Sequence, residues 1–110
     1  MQNRDRSVIK HIYRYCREIS AELDQIANDK DRFMANSVYK NSLALCVLQI
    51  GELVAILSDE YKKEKTSVEW KSIKAMRNVV AHKYGQFDFE VLWETVTEDI
   101  PKLTIFCEAG

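Results

Sequence analysis

The chain has 110 residues, of which 46% are hydrophobic, with three glycines and one proline. That composition suits an ordered helical protein with one modest core, and excludes both a disordered chain and a turn-rich one. Sixteen basic side chains against 17 acidic ones exclude a globally basic nucleic-acid binder, so any contact with RNA has to be local.

The start, Met1-Gln2-Asn3-Arg4-Asp5-Arg6, is polar and leads into an amphipathic stretch, so no secretory signal is visible. The longest apolar run, Leu43 to Leu57, is interrupted by Gln49 and Glu52 and is shorter than the ~20 residues that span a bilayer. A cytoplasmic protein with no membrane contact is expected, built as a single domain over residues 1–110. Cys16, Cys46 and Cys107 are odd in number and never in C-x-x-C spacing, which argues against disulfides and zinc and for plain buried thiols.

Val8, Ile12, Tyr15, Ile19, Leu23 and Ile26 recur at three- and four-residue steps and predict a first amphipathic helix over residues 4 to about 27. Asn28-Asp29-Lys30-Asp31 breaks it. A second helix, roughly 34 to 58, is apolar on nearly every side from Leu43 onward and should be central. On it Ser42, Gln49 and Glu52 share a stripe. Glu52 either meets a cation in a wet cleft or faces solvent on a seam, since a buried lone carboxylate is costly.

Ser58 to Lys65 reads as a short helical turn and a loop. Thr66-Ser67-Val68-Glu69 fits a capping box for a third helix running from about Val68 to Tyr84, which Gly85 stops. Asp88 caps a fourth helix with Phe89, Leu92, Val96, Ile100 and Leu103 on its apolar side, and Pro101 should kink or restart it. The expected architecture is all-α, an up-and-down bundle of four or five helices.

At about 100° per residue, Ile73, Met76, Val80 and Tyr84 turn toward the core, while Lys71, Ala75, Asn78 and His82 form a stripe facing away. Arg77 lies at the border of the apolar side, about 140° from His82, and is long enough to lean toward the same cleft. Lys71 and Lys74 add local positive charge, which serves either phosphate binding or ordinary solvation. A small residue, Ala75, within a polar stripe suits the approach of a second copy, so a two-fold homodimer could gather both sets of these residues around one groove.

No phosphate loop, H-E-x-x-H zinc helix or G-x-S-x-G elbow is present, and the second histidine, His11, lies far off in sequence. What remains is acid/base chemistry that needs no metal and no cofactor, with an arginine clamp. His82 could move protons, Arg77 could stabilise charge on phosphorus, and Asn78 could orient either partner. Tyr84, taken alone, reads as an aromatic at a helix end on the core edge.

Arg77-Asn78-Val79-Val80-Ala81-His82-Lys83-Tyr84, read as R-x-x-x-x-H-x-Y, resembles the signature of HEPN-domain proteins, specifically the HepT-like toxins that pair with a minimal nucleotidyltransferase antitoxin. Leu48 to Leu53, Trp70, Met76 and Leu92-Trp93-Glu94-Thr95-Val96 extend the likeness over most of the chain. Glu69 stands where many relatives have proline. The resemblance implies a dimeric HEPN-like bundle and a ribonuclease in which Arg77, Asn78 and His82 cleave RNA, with Lys71, Lys74 and Glu52 in support. It also implies that the antitoxin attaches adenylate to Tyr84. Two other readings stay open: a non-catalytic module that binds nucleotide or phosphate for a nucleotidyltransferase partner, and a structural dimerisation domain.

Overall fold

A computed structural model describes residues 3–80 and 88–109, and for Arg77, Val79 and Val80 the backbone alone. Helix α1 spans Asn3–Gln25, α2 Lys30–Ala35, α3 Ser37–Ala55, α4 Asp59–Glu64 and α5 Trp70–Val80. After the undescribed residues, α6 (Phe89–Glu94) passes through a π-helical turn, Thr95–Asp99, into α7 (Ile100–Ala109). The described residues form an all-α bundle, as the apolar periodicity predicts. α3 lies at its centre and packs along α1 and α5, while α7 closes the far side of α1.

The buried face of α1 carries Val8, Ile12, Cys16, Ile19 and Leu23, with Tyr15 at its margin. Leu43, Ala44, Val47, Ile50 and Val54 of α3 are wholly buried beneath it. At roughly 25 cal/mol per Å² of apolar surface, such residues supply most of the driving force for the fold.

α1 ends two residues earlier than the sequence suggests. Asn28 N–H donates to the Leu23 carbonyl at 2.8 Å and Ala27 N–H to the Asp24 carbonyl at 3.0 Å, a Schellman stop. Ala27 and Asn28 therefore take φ of 56° and 52°, a left-handed conformation usually given to glycine.

The predicted second helix is in fact two. Asn36 closes α2 and caps α3, its side-chain oxygen accepting from Val38 N–H at 3.0 Å and Tyr39 N–H at 3.2 Å. Asp29 caps α2 in the same way. The short helix exists to place Phe33, which is fully buried and touches Trp93 at 5.1 Å and Phe89 at 6.5 Å between ring centres.

The disturbance expected at Pro101 takes the form of a π turn, after which α7 begins at Ile100. The chain widens ahead of it, with Ile100 N–H donating to the Thr95 carbonyl five residues back. A π turn there eases the clash that a proline ring makes with the carbonyl four residues before it. Val96, Ile100 and Leu103 stay buried along one line throughout.

A buried carboxylate that the periodicity does not reveal ties the ends together. Asp5 is only 1% exposed, and its two oxygens accept from Ser58 N–H at 2.8 Å and Ser58 Oγ–H at 2.6 Å. Ser58 Oγ in turn accepts from Tyr61 N–H at 3.1 Å, capping α4. Burial pushes the Asp5 carboxyl up, but the two hydrogen bonds from Ser58, with help from Arg4, outweigh it and leave the pKa lowered. A carboxylate with a lowered folded pKa stabilises the fold above its unfolded value of about 3.9, and that contribution disappears as pH falls through the folded value. Asp5→Asn should therefore cost about 1–3 kcal/mol in urea unfolding at neutral pH. It should also flatten the loss of stability that the parent shows below about pH 4.

Candidate functional site on the outer face of α5

Helix α5 begins at Trp70, two residues later than a capping box at Thr66 would start it. Ile73 N–H donates to the Glu69 carbonyl at 3.0 Å, so Glu69 takes the cap position. What fixes the start is tertiary. The Trp70 indole N–H donates to the Lys65 carbonyl at 2.9 Å, and its ring lies 6.0 Å from Tyr61 and 5.5 Å from Phe106. Trp70 is thus locked among α4, α5 and α7, and the Asp5–Ser58–Tyr61 chain of hydrogen bonds holds α4 in place.

From that anchor the helix phase follows. Ile73 and Met76 are buried at 8% and 7% exposure, whereas Lys71, Lys74, Ala75 and Asn78 are exposed. The outward stripe deduced from the sequence is present as far as Asn78. The backbone of Arg77 is helical, and His82 and Tyr84 lie outside the described residues.

Glu52 is exposed on α3. The side of α3 that carries it is the one turned from the core. Ser42 and Gln49, predicted to share its stripe, are half-buried instead. Ser42 is hydrogen-bonded to Glu22 of α1, whose pKa is raised by burial against that bond, with Glu18 adding to the rise.

The three thiols are free and buried, as the sequence suggests. Cys46 is pushed up to about 12 by burial and by the nearby Glu22 and Glu18 carboxylates. Cys107 is raised by its hydrogen bond with Cys16 and by burial. Since thiolate is the reactive form, neither Cys46 nor Cys107 offers a nucleophile. Among the described residues no group of three His, Cys, Asp or Glu side chains could hold a metal ion, and no helix is long and apolar enough to cross a membrane.

Two grooves flank α7. One, of about 630 Å³, runs between the inner flank of α5 (Ser72, Ile73, Met76) and α7 (Leu103, Phe106). The other, of about 340 Å³, lies between α1 and α7 near Cys16 and Thr104. Lys71, Lys74 and Asn78 line neither. They stand exposed on the outer face of α5.

The sequence profile of the family described as Ribonuclease HepT-like matches residues 10–109. The chain belongs to this ribonuclease family. A protein of Caldanaerobacter subterraneus subsp. tengcongensis, named provisionally as an RNase, is 28% identical over 98 residues, 89% of this chain and 86% of that one. A similarly named protein of Methanocaldococcus jannaschii is 29% identical over 75 residues, 68% of this chain and 69% of the other. A protein of Thermococcus cleftensis, named provisionally as ribonuclease HepT, is 37% identical over 54 residues, 49% of each chain. No solved structure matches the chain significantly. The HepT-like resemblance read from the motif is therefore upheld, and with it an all-α ribonuclease fold.

The anchor and the stripe should separate by mutation. Trp70→Ala should cost about 3–5 kcal/mol, as removal of a buried indole does. Its exposed neighbour Lys71→Ala should stay within about 0.5 kcal/mol of the parent. Urea unfolding of the two variants side by side measures the difference.

Proposed function

We propose that this protein is a metal-independent endoribonuclease toxin, a single HEPN-like domain acting in the cytoplasm as a two-fold homodimer. The observation that carries the reading is membership of the HepT-like ribonuclease family over residues 10–109, with R-x-x-x-x-H-x-Y inside the matched span. The exposed Lys71, Lys74 and Asn78 on α5 support it, since they supply the local cationic and amide groups that an RNA phosphate needs.

In this mechanism the RNA supplies its own nucleophile. The 2′-oxygen attacks the adjacent phosphorus while His82 moves the proton from the 2′-hydroxyl or to the departing 5′-oxygen. Arg77 balances the charge that builds on the phosphorane, and Asn78, one turn before His82, orients the imidazole or the phosphate. Loss of the 5′-oxygen leaves a 2′,3′-cyclic phosphate. Lys71 and Lys74 draw the backbone in, and Glu52 tunes the cationic side of the site. No cofactor takes part.

Control acts on Tyr84. Its hydroxyl oxygen attacks the α-phosphorus of ATP on a minimal nucleotidyltransferase antitoxin, pyrophosphate leaves, and an AMP group remains on the ring. The added phosphate brings bulk and negative charge beside Arg77, where it competes with the RNA backbone.

Incubation with total RNA in EDTA should yield fragments ending in 2′,3′-cyclic phosphate. His82→Ala and Arg77→Ala should lower the rate by ~10²–10⁴-fold while circular dichroism is unchanged. A requirement for added divalent metal, or full activity in His82→Ala, would refute the mechanism. Co-expression with the nucleotidyltransferase should raise the mass of the chain by whole AMP units and abolish cleavage. Tyr84→Phe should prevent both effects, whereas adenylate mapped to Tyr61 would point to a different means of control.

A further inference from the structure

Two of the three buried thiols belong together. Cys16 lies on the inner face of α1 and Cys107 in the last turn of α7, 91 positions apart in sequence, yet their side chains share a hydrogen bond. Both are free, and the two helices that carry them pack together. The sulfurs therefore face one another across a helix–helix contact. An odd number of cysteines gives no disulfide framework, but a facing pair in reduced form is the arrangement from which one reversible bridge closes.

A small reagent has a way in. Cys16 has no exposed surface, but with Thr104 it forms part of the lining of the groove of about 340 Å³ between α1 and α7. A water molecule takes up about 30 Å³, so the groove admits a molecule the size of hydrogen peroxide. The two thiols are not equivalent. The hydrogen bond from Cys107, joined against burial by one from Thr104, favours the anion at Cys16 and lowers its pKa. Cys107 is raised by the same bond, by burial and by charge on Cys16. Cys46 stands outside the pair, its Sγ donating to Glu18 Oε2 at 3.7 Å and its pKa pushed up to about 12.

We propose that Cys16 and Cys107 are a peroxide-reactive pair, Cys16 the sulfur oxidised first and Cys107 the one that resolves it into an intrachain disulfide between α1 and α7. The Cys16 sulfur attacks one peroxide oxygen, the O–O bond breaks, and the departing hydroxide takes the thiol proton and leaves as water. Cys16 is then a sulfenic acid. Two of the influences that hold the proton on Cys107, the bond with Cys16 and the charge on it, end at that point. The Cys107 sulfur attacks the Cys16 sulfur, and its proton departs with the hydroxyl as a second water. Two thiols and one peroxide become one disulfide and two waters, with two electrons passing from sulfur to oxygen. Exchange with a small thiol restores the pair.

The bridge fastens a part of the fold on which the rest relies. Cys107 follows Phe106, whose ring packs edge-on against Trp70 at 5.5 Å between centres, so the bond holds the end of α7 that anchors α5. It also closes a loop of nearly the whole chain, the case in which a cross-link restricts the unfolded state most. The inference stands apart from the ribonuclease mechanism.

The full chain has three cysteines; treated with a small excess of hydrogen peroxide, unfolded and capped with N-ethylmaleimide, it should take up one maleimide in place of three. Peptide mapping should put that label on Cys46 and find Cys16 joined to Cys107, and dithiothreitol should restore all three thiols. The bridged chain should melt about 5–10 °C above the reduced one. In Cys107→Ala, dimedone added with the peroxide should label Cys16 about tenfold faster than Cys46. Cys16→Ala should leave Cys107 unlabelled and show no rise in melting temperature. Should either variant prove unfolded by circular dichroism, mapping of the parent chain alone decides. Three free thiols after peroxide, a bridge that includes Cys46 or joins two chains, or a bridged chain that melts no higher than the reduced one would overturn the assignment.

Discussion

The position of the motif helix depends on one buried indole. Trp70 fills the junction of α4, α5 and α7, and its N–H is satisfied by the Lys65 carbonyl rather than by water. Because a helix is rigid over three turns, fixing its first residue fixes the direction of every later one. The outward phase of Lys71, Ala75 and Asn78 is therefore a consequence of how Trp70 packs. The packing in turn depends on Tyr61, and Tyr61 on the Ser58 cap that Asp5 holds from the far end of the chain. A site on an exposed helix face thus gains its precision from a network that contains none of its residues, which is the usual division between a reactive group and the scaffold that aims it.

The placement of charge follows the same division. Among the described residues Asp5 is the one buried carboxylate, and its burial is offset by the hydrogen bonds from Ser58. Burial and the nearby Glu22 and Glu18 carboxylates keep the Cys46 thiol neutral, and the bond with Cys16 together with burial does the same for Cys107. In the proposed mechanism the chemistry belongs to the exposed polar stripe of α5, and with the small net charge of the molecule attraction for RNA would come from that stripe at short range. Salt screens such attraction beyond about 10 Å at ordinary ionic strength.

α3 is the helix on which the rest of the bundle is built, packed along both α1 and α5. One side is buried so thoroughly that Leu43, Ala44, Val47, Ile50 and Val54 have no exposed surface, while Val38, Leu45 and Ile56 stand exposed on the other.

Much of this was legible in the residues. Apolar spacing gave α1, the burial of α3 and the inward line of Leu92, Val96, Ile100 and Leu103, because a 3.6-residue period is a local property of the chain. The helix phase of Ile73 and Met76 against Lys71 and Asn78 was determined in the same way, and the motif from Arg77 to Tyr84 together with its flanking residues pointed to the family. Other features were decided only in three dimensions. Asp5 sits in a polar N-terminal run and is buried solely because Ser58, 53 residues away, reaches it. Trp70 displaces the start of α5 from a sound local capping signal, since burial of an indole outweighs one cap. Glu52 sits in an apolar run yet faces out, because sequence gives the order of residues around a helix but not which side its neighbours cover. Periodicity is written in the chain, whereas the choice of buried face belongs to the packing of helices that are distant in sequence.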